Sequence, residues 1–330
     1  MPTAPDWPAN LPLAPWLSAW TAPDGWVHRR FDRPHVEGVA RRGRLLFQTG
    51  RADMIEKYAD AIDHLRAQGW DVTAFDWRGQ GGSGRLAQDD TGHIDGFDRL
   101  IDDLAAFYRE WTVEAEGPHV VLGHSMGGFV TLAALAAGRI APDAAVLVAP
   151  MLAMRSPIGQ WAGTALARWQ SGRGDPLRPA WPRLETPAAA TARQKRLTHD
   201  LVRFADQQAF RQRWPALCRG SPSWTWVAES FRATAALRAD PAVARIATPV
   251  LMLVALADRL VDARAAARIA ARLPQGELVC FGAGCAHEIL READPIRANA
   301  FAAIDAFLRR RLGQGPFSES RSAPTRPRRQ

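Results

Sequence analysis

The sequence predicts an α/β chain: a mostly parallel sheet covered by helices on both faces, with an all-helical segment inserted between two of its strands. Three observations carry that reading. Short, continuously apolar runs alternate with segments whose apolar residues recur at helical spacing. The alternation stops between Leu152 and about Thr248, where helical patterns follow one another without a strand. It resumes at Pro249 and runs to a last helix ending near Arg311.

Taken in order, residues 1–25 hold six prolines and three tryptophans without periodicity, and read as an irregular arm. Trp26 to Phe31 and Arg44 to Thr49 read as two short strands, expected to form a hairpin at a sheet edge. Met54, Ile55, Tyr58, Ile62 and Leu65 mark a helix stopped by Gly69, and Asp71 to Asp76 a strand. Leu100, Ile101, Leu104, Phe107, Tyr108 and Trp111 form another apolar helical face. His119 to Gly123 is a strand, Met126 to Ala137 an apolar helix, and Ala144 to Ala149 a buried strand. The inserted block reads as helices over Trp161–Trp169, Ala190–Leu197, Leu201–Trp214 and Trp224–Leu237. After it come a strand (Pro249–Ala255), a helix (Val261–Leu273), a strand (Glu277–Phe281) and a helix from about Pro295 to Arg311.

Composition narrows the function. At 330 residues, 47% hydrophobic and 23% charged, the chain has ample material for a core, which excludes wholesale disorder and a disulfide-dense mini-protein. No run of roughly 18 apolar residues occurs, so no membrane-spanning helix is expected. The start, Met1 to Asp6, lacks basic and apolar runs, so no signal peptide is read. Cys218, Cys280 and Cys285 cannot all pair, which points to free thiols in a reducing cytoplasm. The net charge of +8 would suit a nucleic-acid partner, but seven arginines and one acid between Arg309 and Gln330 account for +6 of it. The body is nearly neutral and shows no nucleic-acid motif. The basic end reads either as a solvated tail or as a contact with an anionic membrane at the inner face.

One motif carries chemistry. The strand ending at Gly123 runs through Gly123-His124-Ser125-Met126-Gly127 directly into an apolar helix, the strand–turn–helix setting of a G-x-S-x-G nucleophile elbow. Glycines two residues before and after the serine remove Cβ atoms that would clash in so sharp a turn. The elbow predicts the order Ser, acid, His. Only His199 and His287 follow Ser125, and His199 lies in the helical insertion. His287 sits in a loop just past a strand. Among the acids, Asp258 follows the strand ending at Ala255 by three residues and is preferred to Asp262, Asp240 and Glu277. In acyl-transfer logic Ser125 attacks, His287 takes and returns the proton, and Asp258 orients the imidazole.

With these residues the chain resembles the α/β-hydrolase fold, and within it the bacterial lysophospholipase and monoacylglycerol lipase family. Further stretches support this: Gly50-Arg51-Ala52-Asp53 with Glu56-Lys57-Tyr58, Phe75-Asp76-Trp77-Arg78-Gly79-Gln80-Gly81, Ala257-Asp258-Arg259 and Ala286-His287-Glu288. The resemblance covers about residues 25–312. It implies a hydrolase core (26–152 and 248–312), a helical cap (153–247), an arm (1–25) and a disordered basic tail (313–330). It also implies an oxyanion hole made by the backbone N–H groups of Met126 and Arg51, with Gly50 bordering the substrate. Where many relatives begin that loop with His-Gly, this chain has Thr49-Gly50. The expected activity is hydrolysis of a single-chain acyl ester, a lysophospholipid or a monoacylglycerol, through an acyl-enzyme and without a cofactor. Of the tryptophans in the cap, Trp224 or Trp226 is expected to face the acyl chain. Alternatives on the same fold are another carboxylesterase, an acyltransferase, a small-residue peptidase, or a non-catalytic binding protein.

Three weaker signals are set aside. Gly79 to Gly84 fits GxGxxG after a strand, but no helix opens behind it, so a tight loop beside the active site is expected instead of a dinucleotide site. His93, Asp95 and Asp98 lack a fourth metal ligand and read as a hydrogen-bonded loop. Cys285 lies beside the base, not on an elbow, and reads as a bystander thiol.

Overall fold

The computed structural model describes residues 7–8, 10–181 and 186–313. Eight strands form one sheet: β1 (Leu17–Thr21), β2 (Val27–Arg33), β3 (Gly43–Gln48), β4 (Trp70–Phe75), β5 (His119–His124), β6 (Ala144–Val148), β7 (Val250–Ala255) and β8 (Gly276–Phe281). Their order is β1-β2-β4-β3-β5-β6-β7-β8. The pairs β1/β2 and β2/β4 are antiparallel, and every other pair is parallel.

Strict alternation builds two cores. Leu45, Phe47, Val120, Leu122, Val146, Val148, Leu251 and Leu253 point to one face, where α1 (Ala59–Ala67) and α9 (Asp294–Leu312) cover them. Leu46, Val121, Leu147, Met252 and Val254 point to the other, beneath α2 (Phe97–Val113), α3 (Met126–Ala136) and α8 (Ala263–Ala270). All residues of β3, β6 and β7 are buried, as strands covered on both faces must be.

Two expectations about the N-terminal part are corrected. The segments beginning at Val27 and Gly43 do not pair with each other. β3 lies between β4 and β5 in the middle of the sheet, and β2 pairs with β1 and β4. The fully buried run Leu45-Leu46-Phe47 was the signature of a central strand. The arm is not wholly irregular either, because β1 lies within it and closes the sheet edge. Only Trp20 is buried in β1, too little alternation to reveal a strand among prolines.

Between β6 and β7 the chain forms α4 (Gln160–Ser171), α5 (Pro187–Leu197), α6 (Leu201–Arg213) and α7 (Trp224–Ala239). These helices are anchored unequally. Trp226, Val227, Phe231 and Leu237 of α7 join the core cluster with Phe97 and Phe129, whereas α6 buries no residue. Ser223 caps α7 by accepting from the Trp226 N–H at 3.0 Å, and its hydroxyl also meets His93 Nδ1 at 2.8 Å. That contact, with the bridge Gly92–Pro222, pins the start of α7 to the core.

Candidate active site

Ser125 terminates β5 and opens α3 with φ 52° and ψ −113°, a conformation that L-residues avoid at a cost of about 1–3 kcal/mol. Surrounding hydrogen bonds hold it there. Its N–H donates to Val148 O at 2.9 Å, and its carbonyl accepts from Phe129 and Met151 N–H at 3.1 and 3.0 Å. The flanking glycines are required by space. A Cβ on Gly123 would lie 2.7 Å from Gly127 backbone, and one on Gly127 would lie 2.6 Å from the carbonyl oxygens of Gln48 and Thr49.

Three loops at the carboxyl ends of the parallel strands meet at this serine. His287, after β8, has Nε2 2.9 Å from Ser125 Oγ and Nδ1 2.6 Å from Asp258 Oδ2. Asp258, after β7, is fixed by the N–H groups of Leu260 (2.7 Å) and Val261 (3.1 Å) on its other oxygen. The carboxylate therefore holds the Nδ1 proton, leaving Nε2 to accept from the Ser125 hydroxyl. Burial disfavours charge on both partners. The His287–Asp258 attraction overcomes it, holding the imidazole above its ordinary pKa and the carboxyl below its own.

The competing residues are engaged elsewhere. Asp262 caps α8 through the Arg264 N–H, and His199 pairs with Glu292 at 2.9 Å. Burial pushes the Cys285 thiol up to about 12, as suits an inert side chain.

Gly50 packs against the nucleophile: a Cβ there would lie 3.2 Å from Ser125 Cβ. The Arg51 loop thus borders the serine, and Met126 supplies the first N–H of α3 beside it. Among the described residues neither the Arg51 nor the Met126 N–H donates to a protein acceptor. Trp226 is 3% exposed and lies under the Arg51 guanidinium, 5.4 Å from ring centre to Cζ. Trp224 is turned toward Arg178.

A buried polar network behind these groups was not foreseen. Asp53 accepts from the Gly50 N–H (3.0 Å), from Tyr58 Oη (2.8 Å) and from Lys57. Lys57 reaches on to Glu288, which Arg291 also binds at 2.7 Å. Tyr58 Oη in turn accepts from His124 Nδ1 at 2.8 Å. One lysine therefore ties the loop of Gly50 to the residue after His287. Gln80, from the glycine-rich turn, accepts from the Ala52 N–H. The cap braces the same base: the N–H groups of His287 and Glu288 donate to Arg196 O (3.3 Å) and Leu197 O (2.7 Å) at the end of α5.

A serine on a strand–turn–helix elbow, an imidazole and a buried carboxylate at three strand ends make up the arrangement of an α/β-hydrolase. Residues 40–294 match the family model described as serine aminopeptidase, S33. Lysophospholipase L2 of Escherichia coli K12 is 34% identical over 300 residues, covering 85% of this chain and 83% of that protein. Probable lysophospholipase L2 of Haemophilus influenzae is 26% identical over 277 residues, covering 81% and 84%. The chain belongs to this family of α/β-hydrolases, which takes in lysophospholipases and monoacylglycerol lipases, and is a carboxylic ester hydrolase. In fold it is similar to a soluble variant of monoglyceride lipase from Saccharomyces cerevisiae, with a TM-score of 0.70, 19% identity and 89% and 96% of the two chains covered. It is likewise similar to monoacylglycerol lipase of Paleococcus ferrophilus, with a TM-score of 0.65, 22% identity and 86% and 99% covered.

Proposed function

We propose that the protein cleaves the ester of a single-chain acyl lipid, a lysophospholipid or a monoacylglycerol, through an acyl-enzyme on Ser125. The observation that carries this reading is the chain of hydrogen bonds from Ser125 Oγ through His287 to Asp258. His287 Nε2 takes the serine proton as Oγ attacks the ester carbonyl. The resulting oxyanion is met by the N–H groups of Met126 and Arg51. The alkoxide leaving group takes the proton back from His287, and water then repeats the sequence to release the fatty acid. The names of the E. coli and Haemophilus relatives support a lipid substrate.

The test is Ser125→Ala assayed on p-nitrophenyl esters of graded chain length. Activity should vanish in the variant, and the wild type should prefer medium or long chains to acetate. Activity persisting in the variant refutes the mechanism, and a preference for acetate refutes the lipid substrate. The basic C-terminal end adds a peripheral contact with an anionic membrane to this reading, as does the cap surface, where Trp161 is 85% and Trp169 55% exposed.

A further inference from the structure

Four arginines converge on one short stretch of the cap, residues 216–220. Arg85 and Arg219 donate to Ala216 O, the latter at 2.9 Å. Arg211 donates to Arg219 O at 3.3 Å, and Arg51 to Gly220 O at 3.2 Å. Their acceptors are neutral carbonyls, and among the described residues no carboxylate forms an ion pair with any of the four. Asp53 is taken by Lys57 and Tyr58, and Asp76 by Arg29 at 2.6 Å. Asp90 borders the stretch, its carboxylate lying against Gly220, but one acid cannot neutralise four cations.

Taking these charges out of water beside neutral acceptors is costly. Arg219 is only 4% exposed, and its Nε has no partner among the described residues. Burial pushes Arg51 down to about 10, against the pull of Asp53 and with help from the charge of Arg211. Burial does the same to Arg85, also to about 10. Guanidinium groups that are buried (Arg219) or half-buried (Arg51, Arg85 and Arg211) and have only carbonyls as hydrogen-bond acceptors are poised for an anion, since charge-assisted bonds are roughly twice as strong as those to neutral acceptors.

The cluster also stands at a telling distance from the chemistry. Arg51 carries both a backbone N–H beside Ser125 and a guanidinium in the cluster. Its N and Cζ are separated by as many covalent bonds as the ester carbon and the phosphorus of a 1-acyl glycerophospholipid. A substrate whose carbonyl oxygen meets that N–H is therefore long enough, at a reach of about 7 Å, for its phosphorus to meet the guanidinium group.

We propose that Arg51, Arg85, Arg211 and Arg219 form the site for the phosphate of a glycerophosphate headgroup, and so select lysophospholipids over neutral monoacylglycerols. The proposal deepens the lipid-esterase reading and rests on it. The phosphate replaces the carbonyls of residues 216–220 as acceptor, and Arg, with its planar fork, suits it better than Lys. The same cations oppose the free ammonium group of a peptide substrate.

The experiment uses the full chain. kcat/KM is measured on 1-palmitoyl lysophosphatidylglycerol and on 1-monopalmitoylglycerol in one neutral detergent, for wild type, Arg219→Gln and Arg219→Lys. Wild type should favour the phospholipid. Arg219→Gln should cut the ratio of the two values about tenfold, as expected for loss of one charge-assisted bond, and Arg219→Lys should recover part of it. A wild type without preference, or a variant that slows both esters equally, overturns the proposal. Should Arg219→Gln not fold, Arg85→Gln serves the same comparison. A second arm measures inhibition of p-nitrophenyl butyrate hydrolysis. Glycerol 3-phosphate should compete, and about tenfold more weakly in the variant, with inorganic phosphate far weaker. No inhibition, or equal inhibition by both anions, overturns the headgroup assignment. Failure on both lipids with glycerol 3-phosphate still competing would instead refute the lipid-esterase reading alone.

Discussion

At His287 two opposing influences act on one imidazole. Burial resists a positive charge, and the Asp258 carboxylate more than compensates. Only the neutral ring can accept the Ser125 proton. Activity should therefore fall as pH drops through a value above the ordinary histidine figure of about 6.5. Asp258→Asn removes the compensating charge and leaves the burial. Its acid limb should move to lower pH while kcat falls by about 10³–10⁴, both read from a pH–rate profile on a soluble ester. A limb that stays in place would assign that titration to another group. These three residues were legible in the sequence because chain order and elimination suffice once an elbow is recognised. Lys57, Asp53 and Glu288 were not. Their roles depend on a contact across 231 positions of sequence, and no local spacing announces it beyond the i,i+4 pair of Asp53 and Lys57.

Among the elements, α3 shows how strictly the elbow constrains its helix. Glycine inside a helix ordinarily gains about 1 kcal/mol on replacement by alanine. At Gly127 the sign should reverse, since the new Cβ would press on two backbone carbonyls that cannot rotate away. Gly127→Ala should lose about 1–3 kcal/mol, measured by urea denaturation, and a gain would show that the β3 loop is able to yield. The helices and the parallel strands were readable because each is continuously buried or amphipathic. β1 and the place of β3 were not. Strand order is set by which edge the crossing segment between residues 33 and 43 reaches, and this leaves no trace in periodicity.

Over the whole molecule, the positive charge of the C-terminal part divides between the last turn of α9 and the segment beyond it. Arg309, Arg310 and Arg311 lie in the last turn of α9, and the latter two pair with Glu277 at 2.6 and 2.9 Å. Beyond Leu312 only Arg321, Arg326, Arg328 and Arg329 remain against Glu319, and this segment lies outside the described residues. A net +3 suits a weak, salt-sensitive contact, since each basic residue near an anionic surface contributes about 1 kcal/mol. Truncation after Leu312 should reduce co-sedimentation with anionic liposomes at low salt and matter little at high salt. Equal binding by both forms would move the contact to the cap. No helix among the described residues is long and apolar enough to cross a membrane.

The unequal anchoring of the cap has a mechanical consequence. Ser125, at the tip of the elbow, is only 9% exposed. α7 is part of the core and α4 packs on it, whereas α6 buries no residue and is held by hydrogen bonds such as that of Arg291 to Gln207 (2.9 Å). Yet the end of α5 supplies the acceptors for the His287 and Glu288 amides. A displacement of α5 from the core would therefore free those two amides, so the position of this helix and the setting of the base are linked.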